Sequence, residues 1–402
     1  GAKRCRPMPA INRMAPSTNR QHTGGRLDMQ IGIIGCGQLA RMLSLAGWPL
    51  GLKFSFLAEP GDTGDCVRGL GELVPMPDGF EAMAITELAE KVYTSLKKPD
   101  VITVEKESVP VDLLEALKKY CAVYPDPKAV RICQNRGCEK EFIEGVGAAM
   151  APKIVVNTAA ELKLAIEQLG FPVIVKTCED GYDGLNQWKM DTAGDLTEFL
   201  ESRDSIVESV VEKRVNFSRE ISLILVRAAD GRTASYPATQ NWHEGGILRA
   251  SLAPAQDIDE GLAKQIQDLT ERVLGNIDYV GVLAIECFVV DGKLLVNELA
   301  PRVHNSGHWT QQGAATSQFE NHLRAIAGLP LGSTEVHGFA GMVNLLGVEV
   351  TAQTALKPNA FFHTYNKSVR PNRKVGHINI VHNDAEAMKK QLDATIAAIY
   401  SD

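Results

Sequence analysis

Two apolar runs that flank Asp291-Gly292 constrain the fold more than any other part of this sequence. Residues 281–298 are rich in Val, Leu and Ile on both sides of this turn signal, so the sequence predicts a β-hairpin. Its strands carry Glu286 and Glu298. A two-residue loop would turn Glu298 to the opposite face, whereas a three-residue loop ending at Lys293 sets the two glutamates directly opposite each other. We predict the three-residue loop.

Two carboxylates opposed on a rigid hairpin repel each other. Directly opposed residues have Cβ atoms roughly 5 Å apart, and like charges at that spacing are destabilising. Protonation or a bound cation must offset the repulsion. Two carboxylates suit Mg²⁺ when phosphate oxygens complete its coordination. We therefore predict a metal ion at Glu286 and Glu298; the alternative is that one glutamate faces solvent and the pairing is accidental.

A polar loop follows the second strand. Between residues 297 and 309 it contains Asn297, Arg302, His304, Asn305 and His308. Polar donors clustered at a strand end are typical of binding and catalytic sites, so the loop indicates a site beside the glutamates. His308 precedes Trp309 and is also explained by packing, which leaves Arg302, His304 and Asn305 as the stronger candidates.

Lysines and glycines earlier in the chain suit phosphate. Lys176 ends a predicted apolar strand, where an ammonium group is partly desolvated unless an anion pairs with it. Lys140 lies in the preceding helical segment, and the glycine loop 181–184 suits phosphate binding through its amides. The alternative for Lys176 is an edge-strand lysine whose ammonium group reaches water.

Two further segments suit a nucleotide and a phosphate monoester. Residues 212–220 combine an extended link, which can offer backbone groups to adenine, with Glu220, which can accept from ribose hydroxyls. Without context, an exposed charged turn is the simpler interpretation of 212–215. Residues 367–374 contain four bases in an acidic protein and suit a phosphate monoester, with a solvated basic turn as the alternative.

The first glycine-rich turn resembles a dinucleotide-binding motif. Gly35-x-Gly37-x-x-Ala40 follows a short strand and opens a helix, and Glu59 lies about twenty residues further on. The glycines would let a pyrophosphate approach the helix N-terminus. The alternative is a tight strand-to-helix turn that requires glycines for its own geometry.

The order of predicted elements divides the chain into several units. Residues 29–128 alternate strands with helices and predict a parallel α/β sheet. A second unit spans 129–208, a strand-rich unit spans 209–340, and a small unit spans 341–402. Residues 1–28 show no apolar periodicity, and we expect a leader or disordered arm there.

Composition excludes several functions. The chain has 42 basic and 49 acidic residues. The first 28 residues contain six of the bases and one of the acids, so the rest of the chain is more acidic than the whole. An acidic body disfavours nucleic-acid binding. No run approaches the ~20 apolar residues that span a bilayer. The eight cysteines form no zinc-binding pattern and follow no signal sequence, so we expect a cytoplasmic enzyme.

These motifs occur together in one family. From about residue 29 to 400 the chain resembles the 5-(carboxyamino)imidazole ribonucleotide synthases, ATP-grasp enzymes of purine biosynthesis. The resemblance rests on residues 35–42, 181–184, 211–220, 245–249, 317–320 and 373–377, and above all on the run 297–309. It implies an ATP-grasp fold with a Rossmann-like N-terminal domain that binds no nicotinamide and whose glycine turn contacts the ribonucleotide instead.

The resemblance also implies a reaction and a set of site residues. Bicarbonate attacks the γ-phosphate of ATP to give carboxyphosphate, whose carbon dioxide is captured by the amine of 5-aminoimidazole ribonucleotide. Contacts to ATP are implied for Arg136, Lys140, Lys176, Gly181, Tyr182, Asp183, Gly184, Gln187, Glu212, Lys213, Arg214, Val215, Glu220, His243, Asn297 and Glu298. Contacts to bicarbonate and the ribonucleotide are implied for Glu105, Tyr182, Asp183, Arg302, His304, Asn305, Lys367, Arg373 and Lys374. Arg302, His304, Asn305 and Asp183 would be catalytic, Asp183 by handling the amine proton, and Glu286 and Glu298 would hold Mg²⁺, with two ions expected.

Two departures from the family pattern bear on activity. The family usually has Arg or Lys followed by Gly where this chain has Leu185 and Asn186, and Asp where it has Asn135. Losing the cation at Leu185 removes a contact to an anionic substrate. One alternative to a carboxylating ligase is therefore a weakly active ATP-grasp relative that binds nucleotide. A second alternative, a nicotinamide-dependent oxidoreductase, rests on Gly35 to Ala40 alone. Family members are commonly homodimers, and some continue into the next enzyme of the pathway.

Overall fold

The N-terminal unit is a five-stranded parallel sheet covered by helices. The computed structural model describes residues 27–179 and 185–400, so the predicted leader falls almost wholly outside the described residues, as do Gly181, Tyr182, Asp183 and Gly184. The elements are β1 (Gln30–Ile34), α1 (Gln38–Gly47), β2 (Lys53–Ala58), β3 (Glu72–Pro75), α2 (Ile85–Ser95), β4 (Val101–Val104), α3 (Val111–Leu117) and β5 (Ala122–Val123). The strand order β3-β2-β1-β4-β5, with every pair parallel, confirms the predicted α/β sheet.

The second unit is a four-stranded antiparallel sheet with the strand order β6-β9-β7-β8. Its elements are α4 (Pro127–Gln134), α5 (Arg136–Gly145), β6 (Lys153–Val156), α6 (Ala159–Leu169), β7 (Val173–Thr177), β8 (Gln187–Met190), α7 (Ala193–Glu201) and β9 (Ser209–Lys213). Thr158 caps α6 by accepting a hydrogen bond from the amide of Glu161, and Gly170 ends the helix with φ of 69°. Thr and Gly are residue types that favour a helix start and a helix end, respectively.

The remaining strands form one antiparallel sheet of nine strands. The elements are β10 (Arg219–Arg227), β11 (Thr233–Ser235), β12 (Thr239–Glu244), β13 (Ile247–Ala253), α8 (Glu260–Asn276), β14 (Gly281–Val290), β15 (Lys293–Ala300), α9 (Thr310–Gly313), α10 (Gln318–Ile326), β16 (Phe339–Leu346), α11 (Ala352–Ala355), β17 (Ala360–Thr364), β18 (Lys374–His382) and α12 (Ala385–Tyr400). Eight strands follow the order β15-β14-β10-β12-β13-β16-β18-β17, and β11 pairs with β10. Because β13 pairs with β16, this sheet is continuous across residues 340 and 341, where the sequence predicts a boundary.

Three register shifts interrupt this sheet. They lie between Glu286 and Cys287 on β14, between Trp242 and His243 on β12, and between Leu345 and Leu346 on β16. A register shift bends a strand and changes where its side chains point. The sheet is therefore irregular at three defined places.

A shared core joins the N-terminal unit to the nine-stranded sheet. Trp309 and Phe319 are fully buried and belong to the same apolar cluster as residues of β1 and β2. His322 links the two sheets directly: its Nε2 lies 2.9 Å from Oγ1 of Thr103 on β4, and its Nδ1 accepts from the amide of Val282 on β14 (3.0 Å). Burial lowers the pKa of His322 to about 4, so its ring is neutral at pH 7.

Along residues 27–179 and 185–400, no helix has both the length and the apolar character that a bilayer crossing requires.

Candidate active site

One cleft of about 1420 Å³ lies where the three sheets meet. Its lining includes most of the residues that the sequence nominates: Glu105, Arg136, Lys140, Lys176, Gln187, Glu212, Lys213, Arg214, Val215, Glu220, His243, Glu286, Asn297, Glu298, Arg302, His304, Asn305 and Lys374. Pockets for drug-sized ligands measure roughly 300–1,000 Å³. The cleft therefore has room for a nucleotide and a second substrate.

The β14–β15 hairpin places Glu286 opposite Glu298, but its turn differs from the prediction. Val290 pairs directly with Lys293, so the loop is the two-residue turn Asp291-Gly292 rather than three residues. Asp291 and Gly292 have φ of 48° and 73°, as in the type I′ turn that Asp-Gly favours. The predicted three-residue loop is wrong because the tighter turn matches the twist of the strands.

A β-bulge restores the predicted pairing. Cys287 pairs with Val296, whereas Glu286 pairs with Glu298, so Asn297 is an extra residue with no partner on β14. Without the bulge, the two-residue turn would pair Glu286 with Asn297 and direct Glu298 to the other face. The two carboxylates thus meet because of a local irregularity in β15.

The two carboxylates have different surroundings. Oε1 of Glu286 lies 2.8 Å from Nε2 of His304. Burial opposes ionisation of Glu286, but the hydrogen bond and charge of His304, with a further contribution from His243, lower its pKa. The side chain of Glu298 makes no hydrogen bond or ion pair within the described residues, and burial together with the charge of Glu286 raises its pKa. Of the two carboxylates, Glu298 is the one without a directly paired cation in the described part of the chain.

A magnesium ion fits this pair of residues. Carboxylate oxygens are hard donors, and Mg²⁺ is commonly held by one or two carboxylates together with substrate phosphates. In the part of the chain that the structure describes, no third His, Cys, Asp or Glu joins them in a metal-binding group. The remaining ligands would have to come from a bound phosphate or from water.

Glu212 holds two lysines in the wall of the cleft. Its Oε2 accepts from Lys176 (2.7 Å), and its Oε1 lies 2.9 Å from Nζ of Lys140. All three side chains are buried, so the exposed charged turn proposed for this segment is wrong at Glu212. Burial would raise the pKa of Glu212, but the two ammonium groups overcome it and lower the pKa to about 2. Two cations share one carboxylate, which leaves net positive charge for an anionic ligand.

The long side chains after Glu212 bind partners within the second unit. Lys213 donates to the carbonyl oxygens of Gly170 (3.0 Å) and Phe171 (2.8 Å), and Arg214 pairs with Asp191 (2.7 Å). The charged ends of Lys213 and Arg214 are thus paired within the protein, while residues 213–215 line the cleft.

A carboxylate, an imidazole and two aromatic rings line the cleft beyond this segment. Glu220 and His243 are hydrogen-bonded to each other. Burial disfavours protonation of His243, but the bond to Glu220 outweighs it and raises the pKa of the imidazole. The rings of Phe217 and Phe288 stack with centroids 4.6 Å apart. This end of the cleft suits a planar base joined to a sugar hydroxyl.

The polar loop after β15 presents Arg302 and Asn305. Nε and Nη2 of Arg302 donate to the two carboxylate oxygens of Glu107 (2.6 and 3.1 Å), which fixes the guanidinium group. Both polar atoms of the Asn305 side chain are buried without a hydrogen-bond partner within the described residues. An unsatisfied buried amide is costly, so Asn305 is ready to bind a polar ligand.

His308 belongs to packing, as the sequence alternative proposed. It is buried, its ring contacts those of Phe319 and His377, and its Nδ1 lies 3.2 Å from Nε2 of Gln318. Burial lowers the pKa of His308 well below its usual range. The imidazole is therefore neutral and held in place.

The dinucleotide-like turn is already occupied by a side chain. The amides of Gly37 and Ala40 donate to the two carboxylate oxygens of Glu105 (2.6 and 2.8 Å), where a pyrophosphate would otherwise bind. Glu59, the acid expected at a ribose, pairs with Lys106 at 2.6 Å. The glycine turn and Glu59, the two parts of the dinucleotide-binding motif, are therefore both engaged within the protein, and the geometry does not support the nicotinamide interpretation.

The basic segment lies against the N-terminal unit. Lys374 lines the cleft, whereas Lys367 and Arg373 lie outside this lining. Nζ of Lys367 donates to the side chain of Gln38, the first residue of α1, which also lines the cleft. Arg373 donates to Oγ of Ser368 (2.7 Å). The segment thus approaches the cleft from the side of the glycine turn.

Asn135 and Asn186, two of the departures from the family pattern, have local structural explanations. Oδ1 of Asn135 accepts from the amide of Cys138 (3.1 Å) and caps α5, a position where Asn and Asp are equally suited. Asn186 has φ of 54°, a left-handed conformation that Gly and Asn tolerate best. Leu185 is 63% exposed and has no comparable structural role.

Glu107 and Glu139 are two cleft residues that were not predicted from the sequence. Glu107 follows the carboxyl end of β4, and that position is itself a signal because ligands bind beyond the carboxyl ends of parallel strands. Glu139 lines the cleft from the first turn of α5, and its Oε1 accepts from the amide of Leu299 (2.6 Å). Its partner lies 160 positions away, so no local pattern could indicate it.

Three family models match the chain. Residues 28–134 match the ribonucleotide synthetase preATP-grasp domain, residues 141–319 the ATP-grasp domain, and residues 340–391 the phosphoribosylaminoimidazole carboxylase C-terminal domain. Together these matches confirm the predicted ATP-grasp fold with a parallel-sheet domain before it.

Known proteins match over nearly the whole length. The N5-carboxyaminoimidazole ribonucleotide synthase of Pseudomonas aeruginosa is 41% identical over 372 residues, which cover 92% of this chain and 99% of that protein. The crystal structure of N5-carboxyaminoimidazole ribonucleotide synthetase from Thermus thermophilus is 41% identical, has a TM-score of 0.84 and covers 92% of this chain and 99% of its own. A synthase from Aspergillus clavatus, solved in complex with ADP and 5-aminoimidazole ribonucleotide, is 28% identical, with a TM-score of 0.80 and coverage of 93% and 100%.

Proposed function

The chain belongs to the family of N5-carboxyaminoimidazole ribonucleotide synthases, and from that membership we propose how its cleft is used. It is an ATP-dependent ligase of purine biosynthesis that carboxylates 5-aminoimidazole ribonucleotide. One observation carries the assignment of roles: Glu286 and Glu298 face each other in the wall of a cleft that also contains two lysines held by one carboxylate.

ATP is proposed to lie between the four-stranded and nine-stranded sheets. Its phosphates meet Lys140 and Lys176, whose two charges are only half neutralised by Glu212. Its adenine meets the backbone of residues 212–215, and Glu220 accepts from the ribose. Arg136, Gln187, His243 and Asn297 line the same part of the cleft and complete the proposed nucleotide site.

Glu286 and Glu298 are proposed to hold Mg²⁺ beside the triphosphate. Bound there, the ion would supply positive charge to the oxygens of the β- and γ-phosphates, where negative charge develops during phosphoryl transfer. His304 keeps Glu286 ionised and oriented through its 2.8 Å contact. The raised pKa of Glu298 means that this carboxylate gains most from an incoming cation.

We propose that bicarbonate reacts at the loop after β15 and that the amine which captures its carbon dioxide lies toward the basic segment 367–374. A bicarbonate oxygen attacks the γ-phosphorus while the bond to the β-phosphate bridge breaks, which gives ADP and carboxyphosphate. Carboxyphosphate breaks down to phosphate and carbon dioxide, and the amine captures the carbon dioxide and loses a proton. Arg302, His304 and Asn305 would bind bicarbonate and orient it for this attack.

The ribonucleotide is proposed to bind at the other end of this path. Lys367, Arg373 and Lys374 would bind its phosphate, and Glu105 lies at the glycine turn beside them. Tyr182 and Asp183, for which contact to the ribonucleotide and handling of the amine proton were predicted, lie outside the described residues. Their roles stay predictions.

Release of ADP tests this function. We expect release to require both bicarbonate and 5-aminoimidazole ribonucleotide, and Glu298→Ala to abolish it. Glu244→Ala is the matched control, because Glu244 is an exposed acid on the same sheet that pairs only with Arg249 among the described residues. Release that ignores the ribonucleotide would indicate another acceptor. Tight ATP binding without release would favour the weakly active relative, and an unchanged rate in Glu298→Ala would refute the metal assignment.

Several expectations from the sequence and from the family are untested. The second Mg²⁺ ion, the homodimer, the cytoplasmic location, the fusion to a following enzyme and the unit boundaries at 128, 208 and 340 stay predictions.

A further inference from the structure

Helix α5, from another unit, makes hydrogen bonds to the bulge that directs Glu298 into the cleft. Nζ of Lys140 donates to the carbonyl oxygen of Asn297, the bulged residue itself. Oε1 of Glu139 accepts from the amide of Leu299 at 2.6 Å. Two consecutive residues of α5 thus bind the backbone immediately before and immediately after Glu298.

The amide of Leu299 needs a partner of this kind. β15 is the outermost strand of its sheet, and the Leu299 amide that Glu139 binds points away from β14. Leu299 is buried, so water does not replace the missing strand. An unpaired buried amide is costly, and Glu139, itself 2% exposed, supplies the acceptor.

The hairpin has an alternative register that differs by one residue at Glu286. With the two-residue turn at Asp291-Gly292, a regular strand would pair Glu286 with Asn297 and direct Glu298 to the opposite face. Nothing in the turn prevents this, so the bulge must be stabilised from outside the hairpin. The contacts of α5 bind the backbone on both sides of Glu298. Two contacts from outside α5 lie beside them: the carbonyl oxygen of Ala149 accepts from the amide of Val296 (2.8 Å), and Nζ of Lys176 lies 3.4 Å from Oδ1 of Asn297.

We propose that Glu139 is a positioning residue for metal binding: its carboxylate holds the amide of Leu299, keeps Asn297 bulged and so keeps Glu298 facing Glu286. The proposal rests on the metal-binding role proposed for Glu286 and Glu298. The length of the Glu139 side chain, rather than its charge, is then what allows it to hold the Leu299 amide.

Two substitutions separate reach from charge. Glu139→Gln keeps an oxygen acceptor at the same distance and removes the acid. Glu139→Asp keeps the acid but is one methylene shorter and cannot reach Leu299. Glu141→Asp is the matched control, because Glu141 is an exposed acid on the same helix.

Two measurements on the whole chain test the proposal. In Glu139→Asp we expect hydrogen exchange at the Leu299 amide to be roughly tenfold faster, the factor expected for one lost buried hydrogen bond. With a non-hydrolysable ATP analogue bound, we expect Mn²⁺ affinity measured by electron paramagnetic resonance to be about 10–100-fold weaker, as for other residues that orient metal ligands. Glu139→Gln and Glu141→Asp should resemble the wild type in both measurements.

The outcomes distinguish this proposal from the metal site on which it rests. Wild-type Mn²⁺ affinity in Glu139→Asp, or equal losses in Glu139→Gln and Glu139→Asp, would overturn the positioning role. If Glu139→Asp does not fold, a folded Glu139→Gln with weakened Mn²⁺ binding still overturns it. If instead Glu298→Ala leaves Mn²⁺ affinity unchanged, the metal site is wrong, and exchange at Leu299 alone then decides whether Glu139 holds the strand.

Discussion

Replacing Glu212 by Gln is expected to destabilise the protein strongly, because it removes the only carboxylate that contacts both Lys140 and Lys176 within the described residues. Glutamine has the same shape, so the substitution leaves packing intact and changes only charge. Two ammonium groups would then be buried side by side without the carboxylate that both now contact, which is an unfavourable arrangement in a protein interior.

The size of the effect follows from the pKa of Glu212. The two ammonium groups lower it from 4.5 to about 2 against the effect of burial, which corresponds to roughly 3 kcal/mol of stability at pH 7. Removing one partner of a buried ion pair typically costs a similar 3–5 kcal/mol. Because the pKa is lowered on folding, this stability is complete above the unfolded value and is lost as the pH falls toward 2.

Urea unfolding of the wild type and Glu212→Gln measures the difference. We expect the gap at pH 7 to be about 3 kcal/mol and to narrow as the pH falls below about 5. Glu144→Gln is the control, because Glu144 pairs with Lys153 at the surface, where ion pairs contribute about 0–1 kcal/mol. A gap below about 1 kcal/mol, or one that does not change with pH, would refute the stabilising role of the lysine–glutamate cluster.

Three other substitutions test single features. Asn135→Ala should cost about 1 kcal/mol, because it removes the cap of α5. Asn135→Asp keeps the cap but sets a carboxylate where Nδ2 now donates to Glu208 (3.2 Å), so it should cost less than the alanine variant; an equal or larger loss in the aspartate variant would contradict this. His322→Leu should cost about 2 kcal/mol at pH 7 by removing two buried hydrogen bonds. Because the pKa of His322 falls from 6.5 to about 4 on folding, this loss of stability in the leucine variant should become smaller as the pH is lowered through this range. Thermal unfolding at several pH values measures it, and a loss that does not change with pH would contradict a neutral ring. Leu185→Arg should lower the KM for 5-aminoimidazole ribonucleotide about tenfold by restoring a charged donor, and steady-state kinetics that give the same KM would remove the significance of this departure.

The sequence predicts best what neighbouring residues determine. The parallel sheet from residue 30, the cap of α6 at Thr158 and the hairpin around Asp291-Gly292 all depend on short-range patterns, and all are present. The family resemblance extends this to the fold and the reaction, because the run 297–309 is specific.

What the sequence could not predict depends on contacts between distant residues. Glu105 closes the glycine turn across 68 positions, and nothing near Gly37 indicates it. Glu212 looked exposed because its partners belong to α5 and β7. The pairing of Glu286 with Glu298 was predicted correctly for the wrong reason, since it depends on the bulge at Asn297, which a helix 160 positions away contacts, and not on the length of the turn.

The three register shifts of the nine-stranded sheet have a consequence for how this protein tolerates change. Each lies at a cleft residue: Glu286 at one, His243 at another, and Lys374, the partner of Leu346, at the third. A shift of this kind is one additional residue, and removing that residue would invert the alternation of every side chain beyond it. Chain length in these strands is therefore under tighter constraint than residue identity, and natural variation should consist of exchanges rather than of gaps.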